Sequence, residues 1–308
     1  MTLHSILPKN ALSPSVVALG CFDGVHLGHR AVILRAVRWA KELGLSCTVF
    51  AFESSPKNYF VPNSVPQLTD RRSKISLFEE LGVDTVVCVP FDQEIAETSA
   101  KDFFHKILCG LLGARHIVCG YNYSFGAKGA GNIDLLASLC DGAGVGLSVL
   151  PPITIDGMTV SASTIRNALE EGRLDDAYLL LGRFFSIRSE VVDGQHLGRR
   201  LGFPTLNQIF LSTAVIPKHG VYFSRVSIEG TDRQYFGITN IGTRPTVGSE
   251  FVGAETHLFD FSGDLYGKEV EVELLSFLRD ERKFGSVDEL SAQVHEDIET
   301  AKKMARVF

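Results

Sequence analysis

The hydrophobic period of this chain changes at Leu181-Gly182, which constrains it to two modules of different class. Before that point, short apolar runs alternate with stretches of helical period. Ser15–Leu19 (SVVAL) ends at Gly20 and leads into a helical stretch over about residues 28–43. A strand is expected at 45–52, then a Pro/Asn-rich loop at 54–66 and a helix with Ile75, Phe78 and Leu81 on its inner face. Strands at 85–89, 116–119 and 147–150 follow, separated by helices over 100–108 and 133–140. Strands alternating with helices at this spacing predict a doubly wound parallel sheet, whose ligands bind at the carboxyl ends of the strands. The turn after Ser15–Leu19 falls in that place.

Past Leu181-Gly182 the period becomes two. Lys268 to Leu274 reads KEVEVEL, with Glu269, Glu271 and Glu273 facing out and Val270, Val272 and Leu274 facing in. Residues 222–229 and 234–241 are further strand candidates, and short strands between Gly/Asp/Asn turns predict a small antiparallel barrel or sandwich. The tail returns to helix. Ser286 and Glu289 form a capping box, and Val287, Leu290, Val294, Ile298 and Ala301 make a stripe expected to dock on the barrel. The helical stretch around 174–183 joins the modules, so the expected domains are 1–182 and 183–308.

Composition excludes several partners. The net charge of −6 is spread evenly over the two halves, so neither carries the positive footprint that nucleic acid requires. No apolar run reaches the roughly 18–20 residues of a membrane span, and the N-terminus lacks a charged-then-apolar leader pattern. A cytoplasmic enzyme is expected. All six cysteines (Cys21, Cys47, Cys88, Cys109, Cys119 and Cys140) precede residue 182, none in a CxxC, and read as small reduced core residues.

Two segments carry chemistry. In Gly20–Arg30 (GCFDGVHLGHR), His26 and His29 stand three residues apart at the mouth of a helix, beside backbone N–H groups free to bind an anion. Gly20, Gly24 and Gly28 let the backbone approach a triphosphate. Two imidazole donors at a helix N-terminus suit the charge that builds as pyrophosphate leaves; a zinc pair and a pair of surface histidines are the competing readings. In Gly194–Asn207 (GQHLGRRLGFPTLN), Pro204 stiffens the chain while the Thr205 hydroxyl and Asn207 amide oxygen offer two hard ligands, the number Mg²⁺ commonly takes from protein. Two phosphate sites on one chain point to two successive reactions on one small molecule.

The first segment resembles the H-x-G-H signature of nucleotidylyltransferases, and its wording is similar to the adenylyltransferase module of prokaryotic bifunctional riboflavin kinase/FAD synthetases. Gly120–Asn132 (GYNYSFGAKGAGN) is similar to a second segment of that family, with Asn122 and Tyr123 where the family has Asp and Phe. Ser161–Arg166 (SASTIR) is similar to its S-S-T-x-I-R, with Ala162 and Ser163 replacing Ser and Thr. In the second half, Gly202–Asn207 (GFPTLN) resembles the G-F-P-T-x-N motif of riboflavin kinases, and Glu255–Phe261 (ETHLFDF) its E-T-H-x-x-D-F segment.

The resemblance spans roughly residues 15–305, with the motifs in the family's order. It implies a Rossmann-like adenylyltransferase domain followed by a Greek-key β-barrel kinase domain with a C-terminal helix. It places Gly20, Phe22, Asp23, Gly28, Asn122, Ser161 and Ser163 on ATP in the first module, with His26, His29 and Arg166 stabilising the transferred charge. In the second it places Gly194, Gly198, Arg199, Gly202, Pro204 and Thr205 on ATP, Thr205 and Asn207 on Mg²⁺, and Arg279 near the flavin. Glu255 becomes the general base that takes the ribityl hydroxyl proton. The implied activity converts riboflavin to FMN and FMN to FAD with two ATP. The rival readings are a kinase whose first module has lost turnover and a flavin carrier without catalysis.

Overall fold

The computed structural model describes residues 1–194, 198, 201–246 and 249–307. They form two compact units, Met1–Thr164 and Ile165–Phe308.

The first unit is built on a parallel sheet of β1 (Thr2–His4), β2 (Ser15–Leu19), β3 (Ser46–Phe52), β4 (Thr85–Val89), β5 (Ala114–Gly120) and β6 (Gly146–Leu150). Its order is β1-β4-β3-β2-β5-β6. Five of the six strands agree with the sequence pattern; β1, a three-residue edge strand, is too short to show one. The helices are α1 (Leu27–Leu43), α2 (Lys57–Phe60), α3 (Arg71–Glu80), α4 (Gln93–Glu97), α5 (Ala100–Asp102), which continues as a π-helix over Phe103–Leu111, and α6 (Ile133–Ala143). One core packs α1 and α3 on one sheet face; a second packs the π-helix and α6 on the other. That is why β2 is buried along its whole length and carries an unbroken apolar run. The strand order reverses between β2 and β5, which opens a crevice at their carboxyl ends. The inner face of α3 differs from expectation: Lys74, Leu77 and Phe78 are buried and Ile75 is only half-buried.

A short hairpin, β7 (Thr154–Ile155) and β8 (Met158–Thr159), precedes α7 (Ala162–Glu170) and α8 (Leu174–Leu181). The second unit's sheet holds β9 (Phe185–Glu190), β10 (Leu206–Ile209), β11 (Gly220–Ile228), β12 (Gln234–Thr246), β13 (Ser249–Leu258) and β14 (Glu269–Asp280). These are antiparallel in the order β10-β13-β12-β11-β14-β9. A bridge between Val192 and Asn207 and the Gln208 Nε2 bond to the Ser189 carbonyl, 3.1 Å, draw the two end strands together into a near-closed barrel. Along β14 the alternation is as read, with Val270, Val272 and Leu274 buried. The final helix, α9 (Val287–Ala305), docks through Ile298 and Ala301. Val287 is 55% exposed and does not join that stripe. Ser286 Oγ accepts from the Glu289 amide, while the Glu289 carboxylate accepts from the Gly285 amide rather than from that of Ser286.

Candidate functional site

In the first unit the chain leaves β2 through a strained turn. Phe22, Gly24 and Val25 have φ of 52°, 78° and 40°, and for a β-branched Val that region costs conformational energy. Full burial of the Phe22 and Val25 side chains holds the turn in this shape. A Cβ on Gly20 would lie 2.9 Å from the Phe22 ring, so the turn closes only over glycine. The Asp23 carboxylate faces the protein and accepts from the Leu68 amide at 3.0 and 3.2 Å.

The turn delivers both histidines to the start of α1. His26 is its N-cap, Nδ1 accepting from the His29 amide at 3.2 Å. That bond requires a bare Nδ1, so His26 carries its proton on Nε2 and presents an N–H donor. Gly28 allows this: a Cβ there would sit 3.2 Å from the His26 ring. The two rings stack, centroids 3.6 Å apart and planes inclined by 16°. Stacked rings have parallel rather than converging lone pairs, which does not suit a shared zinc ion. Among the described residues, buried His29 Nδ1 has no hydrogen-bond partner. Burial, foremost, holds the His29 imidazolium well below the usual histidine range, with His26 and Lys74 acting in the same direction and a backbone hydrogen bond to Asp23 opposing.

A second helix start reaches the same place. Ser161 caps α7, accepting from the Thr164 amide at 3.2 Å, and its hydroxyl lies 3.0 Å from that of Ser163 and 2.8 Å from that of Thr164. A Cβ on Gly28 would come within 3.7 Å of the Val160 carbonyl, so the beginnings of α1 and α7 are neighbours. Two helix N-termini at one crevice make a strong anion site. Asn122 is exposed on the loop after β5, beside β2 in the sheet, while Tyr123 turns inward to stack on Phe125 at 5.9 Å. Arg166 follows on α7 and belongs to the second unit. The exposed Tyr59 and Phe60 and the half-buried Phe91 form an aromatic cluster beyond β3 and β4, with centroids 5.2 to 6.2 Å apart. In the sequence Tyr59 and Phe60 fall in the loop expected at 54–66.

In the second unit, register assembles the site. Glu255 of β13 pairs with Asn207 of β10 on one side and Asn240 of β12 on the other, so one carboxylate stands between two amide side chains. Asn207 also packs over Gly194, where a Cβ would lie 2.4 Å from its Nδ2. Gly198 is equally constrained, a Cβ there lying 2.5 Å from the Phe203 carbonyl, and Gly202 has φ of 88°. Arg199 lies outside the described residues.

Thr205 stands on the wall of two cavities. One, about 150 Å³, is lined by Phe203, Glu255, His257, Arg279 and Val294 among others. The other, about 510 Å³, is lined by Pro204, Thr256, Phe261 and Tyr266 among others. His257 Nδ1 donates to the Pro204 carbonyl at 2.9 Å and so holds the Pro204-Thr205 segment in place; burial lowers its pKa. Arg279 is clamped by Asp297 of α9 through bonds of 2.7 to 3.1 Å. Sequence reasoning missed Asn240, His257 and Asp297, which meet the site only through strand pairing and helix docking. Thr205 and Asn207 supply oxygen donors where the Gly194 backbone leaves room, and the set fits a hard divalent cation.

Residues 9–164 match the family model of FAD synthetase, and residues 181–305 that of riboflavin kinase. The bifunctional riboflavin kinase/FMN adenylyltransferase of Pseudomonas fluorescens is 36% identical over 304 residues, 98% of this chain and 96% of its own. Its counterpart in Escherichia coli K12 is 37% identical over 289 residues, 94% and 92%. A solved Streptococcus pneumoniae structure, described as a macrolide-efflux protein, is 30% identical with a TM-score of 0.87 over 97% of this chain and 98% of that one. Among the described residues no helix is long and apolar enough to cross a membrane.

Proposed function

The chain belongs to the bifunctional riboflavin kinase/FMN adenylyltransferase family, and on that premise we propose which of its residues carry each reaction. The enzyme phosphorylates riboflavin to FMN with ATP, then adenylates FMN with a second ATP to give FAD and pyrophosphate. We assign adenylyl transfer to residues 1–182 and the kinase to 183–308, and place both in the cytoplasm.

In the kinase reaction the two cavities hold the two substrates, and the Pro204-Thr205 segment between them is the point of transfer. That shared wall is the observation that carries the assignment. The smaller cavity, with Phe203, Val294 and Arg279, takes the isoalloxazine. The larger takes ATP, whose phosphates extend past Thr205 toward Gly194, Gly202 and Gly198, the last on the wall of the smaller cavity. Glu255 accepts the proton of the ribityl 5′-hydroxyl as its oxygen attacks the γ-phosphorus and ADP leaves. Asn207 and Asn240, flanking Glu255, hold the carboxylate in line. Thr205 and Asn207 would hold Mg²⁺, which neutralises phosphate charge when bound.

In adenylyl transfer an FMN phosphate oxygen attacks the α-phosphorus of ATP, and the bond to the bridging oxygen breaks to release pyrophosphate. The His26 Nε2–H, the His29 ring and the first-turn amides of α1 and α7 receive the charge that develops, with Ser161, Ser163 and Arg166 completing the phosphate contacts. Gly20, Phe22 and Asp23 shape the turn, Gly28 admits the ring, and Asn122 reaches over from the neighbouring loop. Tyr59 and Phe60, exposed beside Phe91, offer a stacking surface for the flavin. A chromatographic time course starting once from riboflavin and once from FMN tests both assignments. FMN appearing first and FAD after it is expected, and FMN without FAD would remove the adenylyl site.

A further inference from the structure

Alternate residues of β13 serve the two cavities of the second unit. Glu255 and His257 line the smaller one, while Thr256 and Leu258 line the larger. Side chains two apart on a strand share a face and stand about 6.4–6.8 Å from each other along it. Across the ladder on β12, Asn240 lies opposite Glu255 and Ile238 opposite His257, and both also line the smaller cavity. Asn240 gives Glu255 a polar neighbour there; Ile238 gives His257 none.

The His257 ring is held in a defined state. Its Nδ1 lies 2.9 Å from the Pro204 carbonyl, and a carbonyl only accepts, so Nδ1 carries the proton. Burial, foremost, lowers the pKa of the ring, with Lys302 acting in the same direction and the Pro204 bond opposing, which favours the neutral form. In that form Nε2 is bare and can only accept. Among the described residues Nε2 has no hydrogen-bond partner. Phe203 and Phe259 meet the ring in edge contacts, centroids 6.5 and 6.0 Å away, and restrict its orientation.

Along the cavity wall His257 thus stands between Glu255, two residues before it, and Phe203, whose ring meets its own. With the reactive hydroxyl at Glu255 and the isoalloxazine beside Phe203, the polyol chain that joins them passes His257. We propose that His257 is a specificity-determining residue of the kinase site, its Nε2 accepting a hydrogen bond from a secondary ribityl hydroxyl and so selecting flavins that carry the polyol chain. The proposal rests on the kinase reading of this cavity. A hydroxyl that leaves water costs free energy unless a new partner replaces it, and Ile238 and Phe203 beside His257 cannot supply one. A flavin without that hydroxyl leaves Nε2 facing it unpaired, the asymmetry by which a polar site rejects an analogue.

The test uses the full chain and separates the two ring nitrogens. His257→Asn places an amide N–H near the position of Nδ1 and deletes the acceptor; His257→Gln reaches the position of Nε2 and gives up the bond to Pro204. Binding of riboflavin and of 2′-, 3′- and 4′-deoxyriboflavin is followed by flavin fluorescence, with KM for ATP measured beside it. In wild type one deoxy analogue should bind roughly fivefold to tenfold more weakly than riboflavin, the worth of one hydrogen bond. In His257→Asn riboflavin should weaken by the same factor, the difference from that analogue should vanish, and KM for ATP should move less than the flavin constant. In His257→Gln the discrimination should persist and KM for ATP should take the larger change. Discrimination that is the same in wild type and His257→Asn for every analogue would overturn the proposal, as would a wild type that binds all these flavins alike. If His257→Asn fails to fold, the ¹⁵N resonance of His257 Nε2 in wild type decides: it should move upfield with riboflavin, and a resonance that stays in place overturns the proposal. Absence of FMN from wild type given riboflavin and ATP would break the kinase reading, while the binding series still answers for His257.

Discussion

The first unit gathers the groups assigned to phosphate at the ends of elements, where first-turn backbone amides and capping side chains meet. The second gathers them across strands, from side chains that face one another only when the barrel is in register. Loop strain and glycines shape the one, at Phe22, Val25 and Gly28. Pairing shapes the other, at Asn207, Glu255 and Asn240. A site built at element ends depends on backbone shape and tolerates little added bulk. A site built by register depends on individual side chains, and its weak points are single functional groups.

The largest effect that this contrast predicts is at Glu255. Glu255→Gln keeps the shape and removes the base, so FMN formation should fall by about 10²–10⁴ while added FMN is still converted to FAD. Unchanged kinase turnover would take the base role from Glu255. His29→Ala comes next, with FAD formation reduced by about 10²–10³, the usual loss for one preorganised donor, and FMN formation spared. Loss of both activities would break the separation of the two sites.

Asp297→Ala tests whether the barrel site extends into α9. It leaves the Arg279 guanidinium, whose side chain is 21% exposed, without its partner. Breaking a buried pair costs about 3–5 kcal/mol, and partial exposure of the Arg puts this one at the lower end. Thermal unfolding of the second unit should move down accordingly, with KM for riboflavin rising and FAD formation from FMN unaffected. A rise in KM without loss of stability would mean that Asp297 serves only to aim Arg279.

How far each site could be read from sequence follows the same division. The strand–helix alternation, the Gly20 turn and the helix opening at His26 are local patterns, and the fold of the first unit follows from them nearly element by element. Register is not local. β13 has no clean alternation because Gly253 and Ala254 interrupt it, so the strand that carries Glu255 was visible only as a motif, and Asn240 opposite it only as part of the strand expected at 234–241. Lys74 escaped for another reason: a lysine in a helical stretch reads as solvent-facing, and only packing shows it buried. Val287 erred the opposite way, an apolar side chain at the first turn of α9 before the helix meets the barrel. Asn122 and Tyr123 were grouped by motif, yet one is exposed at the crevice side and the other is a packing ring whose burial pushes its phenol pKa far up.

Gly28→Ala is the smallest change and the sharpest test of the contrast, because it deletes no functional group. In the first turn of α1, alanine should leave stability level or raise it by up to about 1 kcal/mol. The new methyl would lie 3.2 Å from His26 Cε1 and Nδ1, so the ring has to move by a few tenths of an ångström. That movement loosens the bond from the His29 amide to Nδ1 and turns the Nε2–H away from the phosphates. A fall of about fivefold to tenfold in FAD formation is expected, equivalent to roughly 1.0–1.4 kcal/mol in the barrier, with FMN formation and thermal stability retained. Full FAD activity in Gly28→Ala would mean that the His26 ring tolerates displacement, and the first site would then depend on its side chains as the barrel site does.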